Sequence, residues 1–180
     1  MSFKRVVFPF CLMMLVLSVS EAVAQRTTSA EINPEDALFL KQAVYHADWM
    51  IVLGQLAQKQ AASLSVRSYG ASMVEGYSKE LEELNRLARL KNIPLLPDLH
   101  VGRQNTTHYF SRKVGADFDR NYISLMVEEN RSHVNACQQA IKSVQDDDIR
   151  ALALANIDKL KAYVDLAHQI LTDLPKPVLK

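Results

Sequence analysis

The 180-residue chain carries 21 Lys and Arg against 20 Asp and Glu, a formal net charge of +1, and 48% of its residues are hydrophobic. No basic excess argues for nucleic acid, and no block of like charge argues for a polyanionic tail. The length suits one domain with a real core.

The chain opens "MSFKRVVFPFCLMMLVLSVSEAVAQ". Lys4 and Arg5 precede an apolar run from Val6 to Val19, and Ala22-Val23-Ala24 is an A-x-A cleavage signal. The run is shorter than the ~20 residues a membrane span needs, and Pro9 interrupts it. The expectation is an export signal over residues 1–24, cleaved after Ala24, with no stable membrane span afterwards and a periplasmic or secreted product. Cys11 lies in the apolar run and no cysteine follows the cleavage signal, so a lipoprotein has no acceptor. Cys137 is then the only cysteine and cannot close an internal disulfide. It falls on an apolar stripe, which predicts burial.

Residues 25–33 are expected to form a flexible lead-in. "NPEDALFLKQAVYHADWMIVLGQLAQKQAAS" then reads as a first helix, with Asn33 as cap, Pro34 at the first helical position, and Glu35 and Asp36 in the first turn, where the helix dipole favours acids. Leu38, Tyr45, Trp49, Val52 and Leu56 recur at helical spacing, and Leu40, Val44, Ala47 and Ile51 add a second stripe. A second helix is expected from about Leu64 to Lys91, with Val66, Met73, Tyr77, Leu81, Leu84 and Leu87 as its stripe. Pro94 and Pro97 stop it.

"NTTHYFSRKVG" predicts a short helix ending at Gly115. Asp117 is placed as the cap of the third long helix, whose stripe is Tyr122, Met126, Asn130, His133, Cys137, Ile141 and Val144. "QDDD" (145–148) breaks and caps. The fourth helix carries Ile149, Ala153, Ile157, Leu160, Val164, Ala167 and Leu171, ending before Pro175. Long amphipathic helices are stabilised by packing, so four of them predict an all-α, antiparallel four-helix bundle. Residues 34–174 form its single domain and 175–180 a tail. No internal repeat is visible. There is no phosphate loop, Cys-x-x-Cys, His-Glu-x-x-His or nucleophile elbow.

On a helical wheel of the third long helix, Asn130 and His133 flank the apolar direction by about 30° each, Glu129 lies at the flank and Glu128 points outward. Tyr77 and Tyr163 face inward from the middle of their own helices. Buried polar groups need partners, so Tyr77, Asn130, His133 and Tyr163 are expected to share one core layer, hydrogen-bonded to one another or to a trapped water. Bundle dimetal centres use inward Glu-x-x-His pairs and further glutamates. Here the pair is Asn130-x-x-His133, and Met50 and Val52 stand where the first helix would need a carboxylate. Neutral groups suit divalent ions poorly. No cofactor is expected. The alternative is a single divalent metal held by His133 and Glu129.

"LGQLAQKQAASLSVRSYGASMV" (53–74) and "GADFDRNYISLMV" (115–127) resemble the exported bacterial ferritin-like family known as domain of unknown function 4142. The resemblance covers about Ala37 to Leu171, with Phe118-Asp119-Arg120 and Tyr122 its most specific part. It implies a signal peptide, a ferritin-like four-helix bundle and no settled activity. It also implies metal-competent residues that this chain lacks. Asp-His is usual where Gly76-Tyr77 stands, Asp-His or Glu-His where Glu129-Asn130 stands, a histidine at Tyr163, and a glutamate at Met50 or Val52. The chain is therefore expected to be a non-enzymatic envelope protein, a structural or binding module whose partner is an envelope protein or a second copy. A hydrolase or transferase reading lacks a nucleophile in an open pocket.

His46 and His168 are placed at the edges of their apolar faces, and His100 and His108 in an exposed connection. Trp49 reads as core or as an anchor for a partner.

Overall fold

The computed structural model describes residues 32–96 and 101–175 of the protein. The expected leader, most of the lead-in, His100, Pro97 and the tail beyond Pro175 lie outside the described residues. The described chain is all-α, with no strand among the described residues. Its helices are α1 (Pro34–Gln60), α2 (Leu64–Leu90), α3 (Val101–Ser111), α4 (Gly115–Ser143) and α5 (Asp147–Asp173).

Local chemistry explains most of the boundaries. Asn33 Oδ1 accepts from the Glu35 amide at 2.8 Å, and Pro34 follows where a missing N–H costs nothing. Asp146 caps α5, accepting from the amides of Asp148 and Ile149. α2 ends before its prolines. Asn92 turns left-handed (φ 55°), and the Ile93 and Asn92 amides donate to the carbonyls of Ala88 and Arg89, which closes the last turn. Two expectations shift. The short helix ends at Ser111 rather than Gly115. Asp117 lies inside the first turn of α4 rather than at its cap, and its carboxylate takes Lys113 and Asn121 instead.

α1 packs chiefly on α2 and α4 on α5, and the two pairs meet along α1/α4 and α2/α5. α3 crosses beside α1. Trp49 Nε1 donates to Thr107 Oγ1 at 3.1 Å and Gln60 Nε2 to the Ser111 carbonyl at 2.9 Å. The buried side of α1 is Leu40, Ala43, Val44, Ala47, Met50, Leu53 and Ala57. The stripe through Leu38 and Val52 is overturned, because these residues are 55% and 37% exposed. α1 is apolar nearly all round, so its pattern alone does not choose a side.

Glycine sets the closest approach of α1 to α2. A Cβ on Gly54 would stand 2.7 Å from the Gly70 carbonyl oxygen, and one on Gly70 would stand 2.8 Å from that of Gly54. Neither backbone can yield without the helices parting. Gly54→Ala is expected to cost about 2–3 kcal/mol as overpacking, read as a fall in Tm of about 6 °C or more. An unchanged Tm would show that the helices separate freely.

The two pairs are built alike, although no repeat stands out in the sequence. Asp36 is buried on α1, and its carboxylate accepts from the amides of Gln145 and Asp146, in the α4–α5 link. Asp119 is buried on α4 and accepts from the amides of Ala62 and Ser63, in the α1–α2 link. Arg67 donates to the carbonyls of Ala61 and Ala62, and Arg150 to those of Val144 and Gln145. Aspartate, link and arginine recur at the same separation of 83 positions, 36 to 119, 61 to 144 and 67 to 150. Each pair thus finishes the other's turn.

Candidate functional site

The middle of the helices holds a polar cluster. Tyr77 Oη on α2 donates to Asn130 Oδ1 on α4 at 2.7 Å. The Asn130 amide donates to the Met126 carbonyl at 2.8 Å and to Tyr69 Oη at 3.3 Å. Tyr69 Oη in turn donates to the Tyr163 carbonyl. Asn130 thereby fills its acceptor and both donors, as a fully buried amide must.

Of the four residues expected in one polar layer, Tyr77 and Asn130 pair directly, and Tyr163 and His133 make other contacts. Tyr163 is half-buried. Its ring stacks on Tyr77 at 5.9 Å, but its hydroxyl donates outward to the Ser72 carbonyl. It lies across Gly76, where a Cβ would stand 1.8 Å from the Tyr163 hydroxyl. Glycine at 76 and tyrosine at 163 therefore depend on each other. His133 is buried, but it faces another histidine: its ring stacks on His46 at 4.3 Å between centroids. The placing of His46 at an edge is corrected. It is a core residue, and its Nε2 has no hydrogen-bond partner among the described residues. His168 and His108 are exposed, and His168 Nε2 contacts Arg131 at 2.9 Å.

Two groups escaped the sequence reading. The Glu80 side chain, 1% exposed, accepts from Lys159 Nζ at 2.7 Å and from Asn156 Nδ2 at 3.3 Å, and lies 3.7 Å from His133 Nε2. Lys159 also stands over the Tyr77 ring at 5.8 Å. A buried charge is sustained only by a partner, and this partner lies on another helix. Burial raises the Glu80 pKa against the pull of Lys159. Burial, then Lys159, pushes His133 down to about 4. Burial, then His133 and Arg103, holds His46 well below the ordinary imidazole value. Burial pushes the Cys137 thiol up to about 12. Both imidazoles are therefore neutral at pH 7 and the thiol is protonated.

The cluster fits a metal centre poorly. The positions where relatives were expected to carry ligands hold Met50 or Val52, Tyr77, Asn130 and Tyr163. Of these, Tyr77 and Asn130 bond each other. Glu80 is committed to Lys159. Glu129 is half-buried and lies in the field of Arg103, with burial raising its pKa. Among the described residues, no group of three or more His, Cys, Asp and Glu side chains could hold a metal ion. An open groove of about 430 Å³ lies outside the cluster, between α1 and α3, with Trp49, Val52, Arg103 and Thr107 in its lining.

A family profile, Domain of unknown function (DUF4142), matches residues 21–170. The chain belongs to this family. No curated protein gave a significant match to this DUF4142 chain. Three solved structures share its fold. A DUF305 fragment from Deinococcus radiodurans is 11% identical over 79% of this chain and 99% of its own, with a TM-score of 0.72. A DUF305 protein from Streptomyces coelicolor is 14% identical over 77% and 91%, with a TM-score of 0.68. CopM in its Cu(I)-bound form is 15% identical over 77% and 96%, with a TM-score of 0.64. Among the described residues of the DUF4142 chain, no helix is long and apolar enough to cross a membrane.

Proposed function

We propose that this DUF4142 chain is an exported, non-enzymatic, antiparallel four-helix bundle of ferritin-like type. In this reading it serves the cell envelope as a structural or binding module and has no dimetal centre. One observation carries the reading: Tyr77 and Asn130, at two positions where relatives were expected to hold ligands, satisfy each other and their neighbours with hydrogen bonds. A side chain committed in this way offers an ion nothing without losing its own bond. The basic start, apolar run and Ala22-Val23-Ala24 support export with cleavage after Ala24, leaving one domain over residues 34–174. The balanced charge supports a protein partner or a second copy rather than nucleic acid. The Cu(I)-bound relative supports the fold alone, since ligands do not travel with a fold.

The test is metal content and N-terminal sequence of the exported protein. The expected result is a first residue of Gln25 and far less than one iron, manganese, zinc or copper per chain. One metal per chain, lost on His133→Ala, would overturn the reading in favour of a site around His133 and Glu129. A retained Met1 would overturn the cleaved leader.

A further inference from the structure

The seam between the two helix pairs concentrates the titratable groups of the core. On its α1/α4 side lie His46 and His133, stacked at 4.3 Å and both buried. On its α2/α5 side lie Glu80 and Lys159. The seam is the thinner of the molecule's packings, since α1 adheres mainly to α2 and α4 to α5. We infer that the stacked imidazoles of His46 and His133 are an acid-sensitive catch between the two helix pairs: protonation of either ring loosens the seam and opens the core in acidic surroundings.

The neighbours on every side support this. α2 presents Tyr77, whose ring meets His46 edge-on at 5.8 Å, and Glu80, 3.7 Å from His133. α5 presents Lys159, a cation that disfavours charge on His133, and Tyr163, stacked on Tyr77. α3 brings the Arg103 charge, which disfavours charge on His46. α4 contributes Cys137, one turn beyond His133, and Glu129, half-buried at the flank. The one anion against His133 is Glu80, already held by Lys159 at 2.7 Å. A proton on either ring thus puts a charge where burial strips its hydration, and Lys159 repels it on His133 or Arg103 on His46.

The sign follows from linkage. An imidazole takes a proton near pH 6.5 in the open chain but near pH 4 in folded His133. Its contribution to folding is complete above about pH 6.5 and is lost as pH falls toward 4. Glu80 acts in the opposite sense, because its raised pKa lets the folded state take a proton more readily than the open chain does. A carboxylate there does not produce an acid-driven opening.

Cys137 reports the opening, since it is 1% exposed and sits beside the seam. The experiment uses the full chain with Cys11→Ser, so that Cys137 is the only thiol. It measures the rate of labelling by dithiodipyridine at pH 7.5 and 5.0, with EDTA present and with rates corrected against a small thiol. If opening frees one ring to its ordinary pKa, labelling at pH 5.0 should rise about 30-fold. Far-ultraviolet circular dichroism checks that the helices persist. His46→Phe with His133→Phe should flatten the response to less than about two-fold, while Glu80→Gln should keep it. Should the double variant fail to fold, His46→Phe alone removes the unpartnered nitrogen and should still reduce the response. A flat wild-type response, or an undiminished rise in the histidine-free chain, would overturn the catch. Neither result depends on metal content, so the failure of the metal-free reading would be seen separately.

Discussion

Asp36→Ala should lower the unfolding free energy by about 4 kcal/mol. The Asp36 carboxylate is 1% exposed and takes the Asp146 amide at 2.7 Å and the Gln145 amide at 3.1 and 3.2 Å. Both amides lie at the α4–α5 link, where the backbone turns and cannot use its own helix. Alanine leaves two partly buried N–H groups without partners, at about 1–3 kcal/mol each, together with a void where the carboxylate was. Urea titration gives the number. Asp36→Asn, which keeps one acceptor oxygen, should recover about half of the loss. A loss below about 1 kcal/mol would mean that water takes over the link amides.

The second large effect is expected at Lys159. Glu80 is held by its ammonium inside the helices, and removing one partner of a buried ion pair costs about 3–5 kcal/mol when the other stays charged. Lys159→Met keeps most of the apolar stem and removes the charge. Glu80 then has only Asn156 at 3.3 Å as a hydrogen-bond donor, and burial raises its pKa without opposition. A raised folded pKa means stability that is present at low pH and lost as pH rises through it. The loss in Lys159→Met should therefore be largest at pH 8 and shrink toward pH 5. Equilibrium unfolding at the two pH values is the measurement. A loss of equal size at both would show that Glu80 keeps its charge without Lys159. The double variant with Glu80→Leu should recover most of the stability, since an apolar pair of similar volume avoids the desolvation.

How far the chain could be read before its structure varies with the physics. The four long helices were legible because their signals are local: caps at Asn33 and Asp146, a stop after α2, and periodic stripes on α2, α4 and α5. The orientation of α1 was not, because residues apolar on nearly every side leave the choice to its neighbours. His46 went to the edge and Leu38 to the core for that reason, and the structure reverses both. Asn130 and His133 were placed inside from a wheel alone. Their partners were harder. Glu80 and Lys159 carry no local signal that sets them apart from other charged residues, and only α2 meeting α5 gives burial a reason. The matched halves were hidden because they match chiefly where a backbone must be held, at Asp36 and Asp119 and at Arg67 and Arg150, while the positions between differ.

The reciprocal hold of each helix pair on the other's turn has a consequence for how far one half can stand alone. Each half contains a carboxylate that grips a link and a link shaped to be gripped, and it cannot satisfy both by itself. Two copies of one such half could do so by lying side by side about a two-fold axis. Within one chain the two halves need not match. His133 on α4 stands where the first half has Met50 on α1, and Tyr163 on α5 where it has Glu80 on α2, each pair 83 positions apart. An asymmetric interior of this kind is open to a single chain and closed to a strict homodimer, in which every substitution appears twice.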